Sequence, residues 1–288
     1  MNFSELFVHF LLLSFVLVGR GEAEHNASSF DWSSIEPASQ LCYYNCYNGF
    51  KCAKLLVPLD WQDPKNTRSA SIAIITLPAT VSEDAVTFGG TIITNQGGPG
   101  GSGVQDLLAA GRYYQSILDR NKHYEILSFD PRGVGRSIPS AECYDDEFGR
   151  RTAAIYQRGL GGLYGGRETV RRQFARARSF GRLCANTTVD GATFREFMST
   201  AAVARDMLHI VDHVDKLRQE TILSKPFEDP RRHPLQLGDR GLSRLQYLGF
   251  SYGTLLGNTF ASMFPGRVGR MILDGIVDPE DYTQAVSG

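Results

Sequence analysis

The sequence predicts an α/β fold, with a mostly parallel β-sheet and helices on both of its faces. Short apolar runs of strand length alternate with longer segments of helical composition, and glycine-rich turns follow several of these runs. This alternation favours parallel strands, because a helix between two strands returns the chain to the same end of the sheet. With 288 residues, 42% of them hydrophobic, the chain can bury a sizeable core.

The predicted elements follow in chain order. Two strands, 54–61 and 69–77, are joined by a turn at 62–66 and should pair antiparallel. Further strands are predicted at 90–94, 124–129, 244–248 and 271–273, and helices at 104–118, 200–219 and 255–264. A long, partly helical insertion spans 139–195, and 224–243 has the composition of a surface loop. The sequence contains no internal repeat.

A serine between two glycines lies where a strand gives way to a helix, in the stretch Gly249-Phe250-Ser251-Tyr252-Gly253. We interpret this stretch as a nucleophile elbow, in which a sharp turn lifts the serine hydroxyl clear of the sheet. The turn needs glycine on both sides, since a Cβ there would collide with the adjoining strand or helix. An isolated match of this kind is about as often an ordinary turn with a capping serine, so the rest of the chain has to decide.

A second glycine-rich segment, 97–103, follows the strand at 90–94. It lacks the Gly-Lys-Ser/Thr of a phosphate-binding loop, and Pro99 interrupts the frame of a dinucleotide-binding loop. It is either a structural turn or an oxyanion loop. In the second case the amide of Gly97 or Gly98 would donate to a substrate carbonyl alongside the amide of Tyr252.

Four motifs occur in order along the chain: QGGPG at 96–100, FDPRGVGRS at 129–137, GFSYGT at 249–254 and LDGIVDP at 273–279. With VPLDW at 57–61, they resemble the α/β-hydrolase exopeptidases of the prolyl iminopeptidase and tripeptidyl aminopeptidase family, particularly the secreted tripeptidyl-aminopeptidase-like branch. The resemblance implies an α/β-hydrolase fold, Ser251 as nucleophile, and Gly98 and Tyr252 as oxyanion donors. It also implies a peptide or small acyl substrate and a Ser, Asp, His order along the chain. We expect no cofactor.

The resemblance places the triad acid and histidine on later loops, beyond a helical cap. None of the six histidines has that position: His9, His25, His123, His209, His213 and His233. Asp274 ends a strand where some α/β-hydrolases carry their acid, although Leu-Asp-Gly is also a structural landmark. We therefore expect an amino-terminal part of the fold at 24–288, with the carboxy-terminal part missing. A serine without its base is a poor nucleophile, so this chain by itself should be nearly inert.

Three functions remain open at this stage. The first is a secreted serine exopeptidase that removes short peptides or single residues from free amino termini. The second is an esterase or lipase-like acyl hydrolase, since the same fold supports both activities. The third is a non-catalytic relative.

The amino terminus predicts export. Residues 7–18 form an apolar block too short to span a bilayer, so 1–23 is predicted to be a signal peptide rather than a membrane anchor. Sequons at 26–28 and 186–188 would accept N-glycans in a eukaryotic source.

The five cysteines fit an oxidising compartment. We expect disulfides Cys46–Cys52 and Cys143–Cys184, with Cys42 left over. Cys-x3-Cys-x5-Cys without a nearby histidine does not fit zinc.

Charge argues against a nucleic-acid partner. The chain has a net charge of −1, so it is not a polyelectrolyte-binding protein by composition. An arginine cluster between 167 and 182 has spacing that suits the solvent face of a helix.

Overall fold

The computed structural model describes residues 30–144, 146–186, 194–224 and 243–284. The predicted signal peptide, the first sequon and most of the predicted loop at 224–243 lie outside these residues. The described residues contain a seven-stranded sheet of order β1-β2-β3-β5-β4-β6-β7. Its strands are β1 Tyr44–Cys46, β2 Phe50–Pro58, β3 Ser69–Leu77, β4 Phe88–Asn95, β5 His123–Phe129, β6 Leu245–Phe250 and β7 Val268–Asp274.

Five of the seven strands run in one direction. The strands β5, β4, β6 and β7 pair parallel with one another. The pairs β1–β2, β2–β3 and β3–β5 are antiparallel, so β2 runs in the same direction as β5. The mostly parallel sheet and its antiparallel start are therefore confirmed. The sequence did not predict β1, because a strand of three residues gives no periodicity.

The helices are α1 Gly103–Leu118, α2 Glu147–Gly159, α3 Arg167–Asn186, α4 Thr200–Leu223, α5 Tyr252–Met263 and α6 Pro279–Gln284. Helix α1 packs on one face of the sheet, with Val104 and Leu107 against Ile75 and Ile126. Helices α4 and α5 pack on the other face, where Met207 and Phe260 join a cluster that includes Leu55. Helices on both faces are confirmed. Because helices cover both faces of the sheet, every residue of β3 except the first is buried.

A buried ion pair ties the loops at one end of the sheet to α4. Arg132 is 1% exposed, and its guanidinium binds both carboxylate oxygens of Asp206, at 2.5 and 2.8 Å. The same guanidinium donates to the carbonyl oxygens of Pro58, Leu59 and Phe197. Trp61 donates its indole N–H to Asp206 at 2.8 Å. One side chain therefore joins the loop after β5, the turn between β2 and β3, and α4.

The insertion between β5 and α4 is a helical hairpin made of α2 and α3. A disulfide between Cys143 and Cys184 closes its base. A second disulfide, Cys46–Cys52, links β1 to β2, and Cys42 is an exposed free thiol. Both predicted pairings are confirmed. Among the residues that the structure describes, no helix is long and apolar enough to cross a membrane.

Removing Arg132 should strongly destabilise the fold. In Arg132→Ala the carboxylate of Asp206 would remain buried without its cation, which typically costs about 3–5 kcal/mol. We expect that loss in the free energy of unfolding measured by urea denaturation. Arg136→Ala, at an exposed position four residues later, is the matched control and should change the free energy by less than about 0.5 kcal/mol. Equal stabilities of the two variants would contradict the role assigned to the buried pair.

Stability should fall as the pH drops below neutrality. His209 and His213 are partly buried on α4 with ring centroids 4.3 Å apart. Burial, and then the charge of His213, lowers the pKa of His209 below its usual 6.5, and burial likewise lowers the pKa of His213. Below about pH 6.5 the unfolded chain then binds more protons than the folded chain, so the free energy of unfolding decreases.

We expect His209→Gln to flatten this decrease between pH 7 and pH 5 in urea denaturation. Arg136→Gln leaves both histidines in place, so it should keep the full slope. An unchanged slope in His209→Gln would show that another group is responsible.

Candidate active site

Ser251 forms the whole connection between a strand and a helix. Strand β6 ends at Phe250 and α5 begins at Tyr252, and Ser251 lies between them with φ 51° and ψ −123°. A positive φ is rare for a residue other than glycine and marks a turn that its surroundings hold in place. The Ser251 side chain is exposed and makes no capping hydrogen bond. The geometry is that of a sharp strand-to-helix turn with an exposed serine that does not cap the helix.

The flanking glycines are required by close backbone approach. A Cβ on Gly253 would lie 2.3 Å from the carbonyl oxygen of Asn95 at the end of β4. A Cβ on Gly249 would lie 2.6 Å from the carbonyl oxygen of Gly253. Both distances are far shorter than a carbon–oxygen contact allows. The elbow is thus packed against the strand end and the helix, as the sequence predicted.

The glycine-rich loop after β4 lies directly against the elbow. A Cβ on Gly97 would be 2.6 Å from the carbonyl oxygen of Phe250 and 2.8 Å from the amide nitrogen of Tyr252. The amide of Gly97 donates to the side-chain oxygen of Asn95 at 3.0 Å. The Gly97 amide is therefore engaged, whereas Gly98 is exposed. The two amides that the sequence offered as alternatives therefore differ in their surroundings.

Asn95 was missed by the sequence reasoning. It is the last residue of β4 and is only 2% exposed, so its side chain is held beneath the loop. The available signal was a polar amide at the end of an otherwise apolar strand, immediately before a glycine-rich turn. Such a residue is well placed to accept from backbone amides two residues later.

Helices α1 and α5 both begin at this edge of the sheet, and they differ in what caps their first amides. At α1, Ser102 accepts from Gln105 N at 3.2 Å and Asp130 accepts from Val104 N at 3.0 Å. Ser251 provides no such cap for α5. Because the first amides of a helix have no intrahelical acceptor, the amide of Tyr252 is open to a ligand, at the positive end of the helix dipole.

Tyrosine hydroxyls hold the start of α5 in place. Tyr247 donates to the carbonyl oxygen of Gly253 at 2.8 Å from beneath the elbow. The hydroxyls of Tyr252 and Thr200 lie 2.7 Å apart, which fixes the Tyr252 ring to the beginning of α4. Burial raises the pKa of both Tyr247 and Tyr252, and for Tyr252 the hydrogen bond to Thr200 opposes that rise. Both phenols therefore stay neutral near pH 7 and act as positioning groups.

The described histidines lie away from Ser251. His123 pairs with Phe88 at the first residues of β5 and β4, at the opposite end of the sheet, roughly 20 Å along a seven-residue strand. His209 and His213 follow Thr200 by roughly 14 and 20 Å along the axis of α4. His9, His25 and His233 lie outside the described residues. Asp274 contacts the elbow through its backbone, where its carbonyl oxygen accepts from the amide of Ser251 at 3.0 Å.

The described residues contain no group of three or more His, Cys, Asp or Glu side chains that would hold a metal ion. Asp130 is fully buried and accepts from Ser102 Oγ and the amide of Arg136, at 2.6 and 2.7 Å. These bonds shape the loop at 130–137. The buried carboxylate is thus committed to the fold.

Substitution of Gly97 tests the contact between loop and elbow. Gly97 and Gly100 have the same φ of +93°, but a Cβ on Gly100 would meet nothing within 4 Å. Gly97→Ala should destabilise the chain by about 1–3 kcal/mol more than Gly100→Ala, since only the former adds a steric clash to the backbone strain. Urea denaturation of the two variants measures this difference. Equal losses would show that the loop can move away from the elbow at no cost.

Comparison with known proteins gives several relatives. Serine protease Hip1 of Mycobacterium tuberculosis is 33% identical over 232 residues, which cover 80% of this chain and 36% of that protein. Tripeptidyl aminopeptidase of Streptomyces lividans is 29% identical over 238 residues, which cover 82% of this chain and 37% of the relative. Carboxylesterase B of Mycobacterium tuberculosis is 36% identical over 160 residues, or 54% of this chain and 28% of the relative. The chain thus spans about a third of the length of these relatives.

No protein-family model matches the chain. A solved structure, juvenile hormone epoxide hydrolase of the silkworm Bombyx mori, covers 78% of this chain and 35% of its own at 13% identity, with a TM-score of 0.35. That similarity is too low to support a fold by itself. The mostly parallel sheet with helices on both faces, the strand–Ser251–helix turn and the relatives agree with one another. The chain has the α/β-hydrolase fold, and the proteins it is similar to in sequence are hydrolases.

Proposed function

We propose that this chain carries the nucleophile and the oxyanion hole of a secreted serine exopeptidase similar to tripeptidyl aminopeptidases. The observation that supports this most is the exposed Ser251 at a positive φ, beside the open amide of Tyr252 and against the glycine-rich loop. In this proposal Ser251 is the catalytic nucleophile. The amides of Gly98 and Tyr252 form the oxyanion hole, and Gly97 positions the loop.

The proposed reaction is acyl transfer through a covalent intermediate. The Ser251 hydroxyl attacks the carbonyl carbon of the scissile amide and loses its proton to a general base. The negative charge that develops on the carbonyl oxygen is stabilised by the two amides, each contributing about 3–4 kcal/mol in the transition state. The base then protonates the leaving amine, and water hydrolyses the acyl-enzyme.

The general base and its carboxylate partner are proposed to come from residues outside the described ones. Among residues that the structure describes, the three histidines are separated from Ser251 by the length of a strand or by several turns of helix. A geometry of this kind cannot support proton transfer, which needs heavy atoms about 2.6–3.2 Å apart. In this proposal the described residues supply the nucleophile and the oxyanion donors, and residues outside them supply the general base.

The names of the relatives favour peptide over ester substrates. A serine protease and a tripeptidyl aminopeptidase match about four fifths of the chain, whereas the carboxylesterase matches 54%. An esterase remains the second candidate because of this last relative. The two disulfides, at Cys46–Cys52 and Cys143–Cys184, support an oxidising compartment and so the predicted export.

The 288-residue chain by itself should react poorly with a fluorophosphonate probe. Loss of the base from a serine triad typically lowers turnover about a millionfold, so Ser251 should show no more than slow labelling. Labelling is followed by mass spectrometry of the tryptic peptide that contains Ser251, with Ser251→Ala as the control. Rapid labelling that disappears in Ser251→Ala would mean that one of these 288 residues serves as the base, against this prediction.

The substrate class is tested on the polypeptide encoded by the complete transcript. A tripeptidyl coumarylamide is compared with the same peptide blocked by an amino-terminal acetyl group and with p-nitrophenyl acetate. An exopeptidase hydrolyses only the peptide with a free amino terminus at a high rate. Cleavage of the ester alone would establish the esterase. Absence of all three activities, with Ser251 and a base both present, would refute catalysis.

A further inference from the structure

We propose that the hairpin of α2 and α3, residues 146–186, docks reversibly on the surface of an anionic phospholipid bilayer. We call this segment the basic hairpin. It is separate from the elbow, so the proposal does not depend on the proposed catalysis.

The charge of the basic hairpin contrasts with that of the whole chain. The segment contains nine arginines and no lysine, against the three carboxylates Asp146, Glu147 and Glu168. The whole chain nevertheless has a net charge of −1. Positive charge is thus concentrated on one protruding segment, and this asymmetry favours docking on a negatively charged surface.

Most of these guanidinium groups are not neutralised by the protein. Glu147 pairs with Arg150 and Arg151, and Glu168 pairs with Arg172, all at exposed positions. Arg176 donates a hydrogen bond to the carbonyl oxygen of Ala153. Five further arginines make no ion pair with any residue that the structure describes: Arg158, Arg167, Arg171, Arg178 and Arg182. These five cations are available to an external anion.

Large apolar side chains of the basic hairpin are exposed next to the arginines. Helix α2 buries none of its residues, and Phe148 and Ile155 on it are 78% and 69% exposed. Phe174 on α3 is 64% exposed. At the turn between the helices, Leu163 is 66% exposed and Tyr164 is fully exposed. Such a set on one protruding element is unusual for a surface that faces only water and marks an interaction site.

The arginines and the apolar residues of α3 occupy adjacent stripes. Arg167, Arg171, Arg178 and Arg182 are spaced by four, seven and four residues, which places them on one face of the helix. Val170 and Phe174, four residues apart, lie on the neighbouring face. An arginine-rich face beside an aromatic and aliphatic face is the pattern of a helix that lies in the interface of an anionic membrane.

Other occupants fit this surface less well. A second copy of the hairpin would bring two strongly positive segments together, which is electrostatically unfavourable. A nucleic acid would satisfy the arginines but gives no partner for the exposed aliphatic groups at the hairpin tip. An anionic bilayer provides phosphates for the guanidinium groups and acyl chains for Leu163 and Phe148 together.

Vesicle sedimentation tests the proposal. The processed chain is recovered from the medium of a secreting host and mixed with vesicles of phosphatidylcholine, or of phosphatidylcholine with 30% phosphatidylglycerol. We expect binding to the anionic vesicles only, and its loss in about 0.5 M salt, where the Debye length is short. The triple variant Arg171→Gln/Arg178→Gln/Arg182→Gln should weaken binding roughly 100-fold, and Leu163→Ser/Tyr164→Ser about tenfold.

A matched triple variant outside the hairpin is Lys65→Gln/Arg120→Gln/Lys216→Gln, which removes the same charge from exposed positions. It should bind nearly as the parent does, and circular dichroism establishes that all variants fold. Equal losses in the two triple variants, or no vesicle binding by the parent, would overturn the proposal. The proposal would also be overturned if the only effect of Leu163→Ser/Tyr164→Ser were to convert a dimer to a monomer. If the parent bound a short DNA duplex but not the vesicles, and Leu163→Ser/Tyr164→Ser left that binding unchanged, the basic hairpin would be a nucleic-acid site instead.

Discussion

The buried contact between Arg132 and Asp206 is the interaction on which this end of the molecule depends. The guanidinium donates five hydrogen bonds, two of them to a carboxylate and three to carbonyl oxygens in two separate chain segments. A buried cation has to be satisfied in this way, because an unpaired charge in the interior is very costly. The loop after β5, the turn after β2 and the beginning of α4 therefore cannot move independently. Their fixed positions define the border of the edge that carries Ser251.

The elbow depends in turn on an absence of side chains. Gly249, Gly253 and Gly97 let three backbone segments approach to distances that a single Cβ would prevent. Tyr247 then closes the arrangement from below by donating to the carbonyl oxygen of Gly253. Backbone atoms packed this closely cannot relax easily, which explains how Ser251 is kept at a backbone conformation that costs on the order of 1–3 kcal/mol. The strain is compensated by the packing around it.

The basic hairpin follows a different principle from the sheet. Strand β3, in the middle of the sheet, is buried from its second residue to its last, whereas α2 contributes no buried residue to the protein. The hairpin is held at its base by the Cys143–Cys184 disulfide and by Arg195, whose guanidinium donates to the carbonyl oxygens of Cys184 and Ala141. Its exposed apolar residues therefore contribute little to the core.

The sequence by itself determined the features that rest on local chemistry. Strand and helix alternation and the glycines around Ser251 follow from residue type and spacing, and the number of cysteines indicates an oxidising compartment. Tertiary structure decided what depends on contacts between distant residues. Asn95 occupies the amide of Gly97 and leaves Gly98, Asp206 lies 74 residues from the arginine it binds, and β3 pairs antiparallel with β5. No local pattern encodes these contacts, since each is selected by the packing of the whole sheet and not by the neighbours along the chain.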